Sequence, residues 1–236
     1  HFRQCMKNPK MIKSLDGEKS ERCILLSKAA SRELDWWDHR LSTNDQSLGL
    51  PLASRYSFPG ASSPSCLVRY SDASREVTKP SSESGGGGWS VMGKTFYYIH
   101  VEWTKEEMLK HSINVLEAHA RDLFGTIMID KAKELGYHIT HSIAYIDNST
   151  AEMIAEHGRT STATLHELNK QRILARIASD VFETNERVAS VDNDVADLIS
   201  RGAVQEALRI PQEEGLAIVR LEVPAALRAI PESDSA

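Results

Sequence analysis

Four acidic residues stand in short, distinctive phrases, and their types and spacing could do chemistry. Asp72 closes Val68-Arg69-Tyr70-Ser71-Asp72, and Glu117 closes Ile113-Asn114-Val115-Leu116-Glu117. Asp147 follows Ile143-Ala144-Tyr145-Ile146, and Asp197 lies in Asn193-Asp194-Val195-Ala196-Asp197-Leu198-Ile199-Ser200-Arg201. Carboxylates on separate elements converge only if something offsets their repulsion, and divalent cations do that best. Two Mg²⁺ ions held about 4 Å apart clamp the attacking water and the leaving oxygen of a phosphodiester. Mn²⁺ accepts the same oxygens.

Taken singly, most of these acids have a plainer reading. Asp147-Asn148 before a helix suits an N-cap. Asp197 suits an exposed helix acid. Asp192 and Asp194 flank Asn193 and compete with Asp197, which is preferred for its Ala-Asp-Leu-x-Ser-Arg context. Asp194 would lie about one turn from Asp197, as a supporting or a solvated group. Glu117 is harder to explain away. It sits beside Leu116 and one turn from Ile113, where burying a carboxylate is costly unless it is paired or bound to metal.

The elements that must position these acids follow from pattern. Cys66 to Asp72 reads as a buried strand ending in an acid. Residues 75–88 read as a polar loop closing in four glycines, Gly85 to Gly88. The tract resembles a flexible insertion, and it lacks the strand–Gly-x-Gly–helix context of a phosphate cradle. Trp89 to Gly93 and Thr95 to Val101 read as strands joined at Gly93-Lys94. Thr104 with Glu107 is a capping box opening a helix to about Phe124, with Asn114 and Glu117 on one face. A second helix is expected from Ile127 to Leu135, stopping at Gly136. His138 to Asp147 reads as a strand ending in an acid. Asp147 to His157 and Leu165 to Phe182 read as helices, Arg187 to Val191 as a short strand, and Asn193 to Ser200 as the start of a last helix. The sum is an α/β mixed sheet with helices on its faces and acids at one edge.

Bulk properties narrow the class. The chain has 236 residues, 41% of them hydrophobic, which suits one domain plus extensions. Glu18 to Leu41 reads as a helix whose Trp36 and Trp37 need a partner surface. Residues 42 to 65 form a Ser/Pro/Gly-rich connector, and the stretch after Gly202 is acidic. No apolar run approaches the roughly 20 residues needed to span a bilayer, so no membrane partner is expected. The chain begins at His1 without a signal sequence and reads as a piece of a longer polypeptide. Cys5, Cys23 and Cys66 have no metal-like spacing and read as reduced intracellular thiols, placing the chain in cytoplasm or nucleus. The net charge of -5 counts against a dedicated nucleic-acid binder, although basic residues crowd the first forty positions.

Together the four phrases resemble the ribonuclease H domain of retroelement reverse transcriptases, closest to the tyrosine-recombinase (DIRS-like) retrotransposon form. Tyr70-Ser71-Asp72-Ala73-Ser74 is similar to the first-strand motif. Trp103, Ile113-Asn114 and Leu116-Glu117 are similar to the helix motif, Asp147-Asn148 with Ala151 to the third, and Asn193, Ala196-Asp197 and Ser200-Arg201 to the last. The resemblance spans roughly 64–203. Leu34-Asp35-Trp36-Trp37 with Leu41 is similar to the connector joining polymerase to nuclease. It divides the chain into a connector over 1–63, a nuclease domain over 64–203 and an acidic tail over 204–236. It implies a mixed five-stranded sheet with helices on both faces plus an N-terminal helical extension. It implies endonucleolytic hydrolysis of the RNA strand of an RNA–DNA hybrid. Asp72, Glu117, Asp147 and Asp197 would hold two Mg²⁺ ions and act in catalysis. Asp72 would bridge both ions, Glu117 and Asp147 would hold the one nearer the leaving oxygen, and Asp197 the one activating water. Ser74, Asn114, Asn148 and Asn193 would meet substrate, and 2′-hydroxyl contacts would select RNA. The polymerase domain of the same polyprotein would be a partner. Cellular members carry a mobile histidine before the last acid. His157 or His166 could serve here, but neither lies in a matching motif, and a surface histidine is the plainer reading.

Three other readings compete. An integrase- or transposase-type relative cutting DNA places its Glu last, on a late helix, whereas here the Glu comes second. A proofreading exonuclease needs Asp-x-Glu on its first strand, and this chain has Asp72-Ala73-Ser74. A catalytically inactive scaffold fits the acidic net charge, but it gains nothing from clustered carboxylates.

Overall fold

The computed structural model describes residues 65–78, 83–147 and 162–231, with positions 31, 34 and 35. Two compact units are present, His1–Leu50 and Pro51–Ala236. In the first, Ser31, Leu34 and Asp35 are helical. The expected tryptophan pair, most of the connector and the helix expected after Asp147 fall outside the described residues.

In the second unit six strands make one sheet. They are β1 (Cys66–Ala73), β2 (Gly85–Met92), β3 (Thr95–Glu102), β4 (His141–Ile146), β5 (Phe182–Arg187) and β6 (Ala217–Arg220), in the order β5-β4-β1-β2-β3-β6. The first three strands run antiparallel, and β4, β5 and β6 join in parallel. The hairpin between β2 and β3 turns at Gly93 with φ 61°, the left-handed geometry that favours glycine. The expected mixed α/β sheet is present, with six strands rather than five. The sixth comes from the stretch expected as tail. It pairs with β3 and brings Leu221 and Ile230 into the core.

The helices are α1 (Lys105–Lys110), α2 (Ile113–Glu134), α3 (Ala163–Ser179) and α4 (Asp194–Ser200), followed by short α5 (Val204–Ala207), α6 (Arg209–Glu213) and α7 (Ala225–Arg228). Thr104 and Glu107 form the expected capping box. It opens only α1, because the backbone extends at His111 before α2 begins. The two helices expected over this region are in fact α1 and the long α2, which runs unbroken past Gly125 to Glu134.

The four glycines expected as a flexible loop form the first half of β2. Their side-chain-free surface is filled from both sides. A Cβ at Gly88 would sit 2.6 Å from Phe124 of α2, and one at Gly86 would sit 2.8 Å from Trp103. A Cβ at Gly87 would meet the backbone of α4, at 2.6 Å from the Ser200 nitrogen and 2.8 Å from the Ala196 oxygen. Strand alternation sends neighbouring positions to opposite faces, so α2 and α4 press on the same strand from opposite sides. The tract is therefore a packing surface on which two helices approach the backbone.

Between the sheet and α2/α3 lies a buried ionic cluster. The Glu183 carboxylate of β5 pairs with Arg69 of β1 and with Arg176 at 2.6 Å and Arg172 at 3.2 Å, both of α3. These guanidiniums, with Arg121, hold Glu183 well below the usual carboxylate range against the opposing effect of burial. Gly125 makes room for the cluster, since a Cβ there would lie 2.5 Å from Arg176 and 2.7 Å from Arg69. On the opposite face, rings from four strands stack in a row. Tyr145 to Tyr70 is 4.8 Å between centroids, Tyr70 to Trp89 is 4.3 Å, and Trp89 to Phe96 is 5.4 Å.

Candidate active site

Each candidate acid is placed by a different element, and Asp147 and Asp197 both act on Asp72. Asp72 is the penultimate residue of β1 and is 8% exposed. Asp147 directly follows β4. That strand lies parallel to β1 with Tyr70 opposite Tyr145, so two further residues along the register bring Asp147 level with Asp72. Asp197 stands in the middle of α4, the helix seated on Gly87, which pairs with Asp72. Burial pushes the Asp72 carboxyl up to about 7. A hydrogen bond from Ser200 works against that rise, and Asp147 and Asp197 reinforce it. Register and packing bring these three acids to one end of the sheet.

Glu117 arrives from the other face. α2 runs antiparallel to β1: Phe124 lies over Gly88 and Ala120 over Gly86. One further turn back carries Glu117, and nearly two carry Asn114, toward the end where β1 finishes. Asp72 points towards α4, so Asp72 and Glu117 can meet only around the sheet edge.

The remaining candidates divide between anchors and surface. Asn193 is 1% exposed, and its Nδ2 donates to the Ser71 carbonyl at 3.3 Å, tying the start of α4 to β1. Ser74 donates to the Ser200 carbonyl at 2.7 Å and accepts from the Gly85 amide at 3.1 Å. Asn114 is half-buried at the first turn of α2, and Asn148 and His157 lie outside the described residues. His166 is on α3.

Two contacts were not anticipated from sequence. Ser200 Oγ donates to Asp72 Oδ2 at 2.7 Å. Arg201 Nε reaches both Asp197 oxygens at 2.8 Å. The only sequence signal for either is the Ser-Arg pair closing the last motif. Beside the acids a cleft of about 400 Å³ is lined by Ser74, Arg75, Glu76, Glu83, Ile113 and Arg201, bringing two guanidiniums to the mouth of the site.

The donor set is all oxygen, which suits Mg²⁺ or Mn²⁺ rather than a softer ion. A buried carboxyl raised further by two other acids is what a divalent cation would relieve. Among the described residues, however, no three acidic, histidine or cysteine side chains stand close enough together to hold one metal ion. Asp197 is turned onto Arg201.

No family model matches the sequence, and no curated protein matches it. Among solved structures the chain is similar to a ribonuclease H1 from the halophilic archaeon Halobacterium salinarum NRC-1, at 17% identity over 60% of this chain and 98% of that one, TM-score 0.41. It is also similar to LC11 ribonuclease H1, solved with an RNA/DNA hybrid, at 14% identity over 60% of this chain and 99% of that one, TM-score 0.45. A ribonuclease H domain from Mycobacterium tuberculosis is 20% identical over 61% of this chain and 97% of its own, TM-score 0.38. Among the described residues no helix is long and apolar enough to cross a membrane.

Proposed function

We propose that the chain is a metal-dependent endonuclease that hydrolyses the RNA strand of RNA–DNA hybrids, as the nuclease part of a DIRS-like retroelement reverse transcriptase. The polymerase domain of the same polyprotein is then its natural partner. One observation carries the reading. The buried carboxyl of Asp72 is pushed up to about 7, and Asp147 and Asp197 contribute to that rise. A fold gains no stability from such repulsion, so its retention points to chemistry.

Asp72, Glu117, Asp147 and Asp197 are the residues that would hold Mg²⁺ or Mn²⁺. When bound, such ions polarise the phosphate and lower the pKa of water. Asp72 would present one oxygen to the site while Ser200 holds the other. Asp197 would exchange Arg201 for metal, and the released guanidinium, with Arg75 across the cleft, would offer charge to the phosphate backbone. Asn114 and Asn148 would meet substrate beside the cut, where a 2′-hydroxyl distinguishes RNA from DNA.

The test is incubation of the 236-residue chain with a labelled RNA–DNA hybrid, with and without Mg²⁺, beside duplex DNA and duplex RNA. Mg²⁺-dependent shortening of the RNA strand of the hybrid alone supports the proposal, and Asp72→Asn should abolish it. The pairing of Asp197 with Arg201 favours a second reading, a catalytically inactive scaffold. That reading requires an intact RNA strand under every condition.

A further inference from the structure

Ser200 is held by hydrogen bonds at its carbonyl and its hydroxyl, and its nitrogen packs closely on the sheet. Its nitrogen sits above Gly87, where a Cβ would come within 2.6 Å. Its carbonyl accepts from Ser74, itself fixed by the Gly85 amide. Its hydroxyl lies 2.7 Å from Asp72 Oδ2 and 2.9 Å from the Asp197 carbonyl. A hydroxyl has one proton, and a carboxylate is the stronger acceptor. The side chain is wholly buried, so no water competes for that proton.

We infer that Ser200 is a positioning residue: it fixes one oxygen of Asp72, turns the other toward the sheet edge, and sets the separation of Asp72 and Asp197. The inference rests on the metal-dependent reading above. The structural reason is economy of reach. Ser200 is three residues after Asp197 on the same short helix, so one hydrogen bond locks a helix-borne acid against a strand-borne one. Gly87 is the partner that permits it, since any side chain there would lift the Ser200 nitrogen off β2 and so draw its hydroxyl from Asp72. A hydroxyl that merely capped the Asp197 carbonyl would leave Asp72 with its bond from the Ala73 amide but with no tie to α4. The two roles therefore differ in what they do to metal binding.

The experiment uses the full chain. Mn²⁺ binding is measured by calorimetry on the protein alone, and the Mg²⁺ concentration for half-maximal hybrid cleavage is measured separately. Ser200→Ala should raise both midpoints about 10-fold, as loss of groups that orient metal ligands does, and leave KM for the hybrid within about 2-fold. Ser74→Ala, which frees the Ser200 carbonyl, should shift both midpoints in the same direction by less. Leu168→Ala, in the core of α3, should lower thermal stability and leave both midpoints alone. A folded Ser200→Ala protein with unchanged midpoints overturns the inference while leaving the nuclease reading standing. If Ser200→Ala does not fold, unchanged midpoints in Ser74→Ala overturn it instead. A wild-type chain that neither binds Mn²⁺ nor cleaves hybrid overturns both readings.

Discussion

Asp72→Asn should make the metal-free protein more stable at pH 8 and leave it nearly unchanged at pH 4. The carboxyl is raised from 3.8 to about 7, chiefly by burial. In the unfolded chain it loses its proton near 4, but in the fold it keeps that proton until about 7. Between those values the native state binds more protons than the unfolded state, so stability falls as pH rises. Three units at 1.36 kcal/mol each make the full cost about 4 kcal/mol above pH 7. Asparagine keeps an oxygen to accept from Ser200 and carries no charge. For a domain of this size a gain of that order raises the thermal midpoint by about 8–16 °C. The assay is thermal unfolding of both proteins at pH 4, 6 and 8 in chelator. The acid-side loss due to Glu183 is common to both, so the difference isolates Asp72. Equal midpoints at pH 8, or a lower one for Asp72→Asn, would refute the reasoning. Added Mg²⁺ should close the gap by stabilising only the wild type.

Three further outcomes can be checked together. Gly87→Ala forces α4 to move, because the obstructing atoms are backbone. Denaturant titration should show a loss of about 1–3 kcal/mol, and hybrid cleavage should fall about 100-fold. Glu183→Gln leaves buried guanidiniums facing a neutral amide. It should cost about 3–5 kcal/mol at pH 7, and the cost should shrink as pH falls below about 4.5, where the unfolded chain's carboxylate takes up a proton that the folded one still refuses. A loss below about 1 kcal/mol would contradict the cluster's role. Arg228→Ala removes the clamp on Glu107 at 2.5 Å and the cation–π contact with Trp103 at 5.1 Å. It should cost about 1–2 kcal/mol and speed proteolysis after Leu221.

β1 to β4 were legible as sequence in their aromatic and β-branched residues, Gly85 to Gly88 apart, as was the Thr104–Glu107 box, because those signals are local. β5 was not, for the strand expected over Arg187 to Val191 lies at Phe182–Arg187, where the helix was expected to end. Nor was Gly85 to Gly88. A strand is recognised by what its side chains do, and here the demand comes from Phe124, Trp103 and α4, all distant in sequence. Gly125 reads as a helix break for the same reason. It is instead the space that Arg69 and Arg176 fill. Arg69 and Glu183 are 114 residues apart, and a lone Arg in a strand reads as solvated until its partner is known. β6 is four residues in an acidic stretch, placed by the free edge of β3 and by packing of Ile218 and Val219, all distant in sequence. In the site, the acids at strand ends were legible, but the face each one takes was not. Nor was the hydroxyl that holds Asp72.

The pleat of β1 explains how two opposed charge systems coexist three residues apart. Arg69 and Ala73 turn toward α2 and α3, where Glu183 gathers guanidiniums. Tyr70 and Asp72 turn toward α4, where carboxylates gather instead. A one-residue slip of β1 would exchange the faces, burying Asp72 among the arginines and setting Arg69 against the acids. Each charge set would then find an opposite partner, so a slipped pairing would not be penalised by charge alone. What forbids it is shape. Only glycine fits opposite Phe124 and beneath the backbone of α4, and Gly85 to Gly88 pair with Ala73 to Tyr70 in a register fixed by those two helices. The glycine strand is therefore what holds Asp72 on the α4 face, apart from the arginines gathered around Glu183.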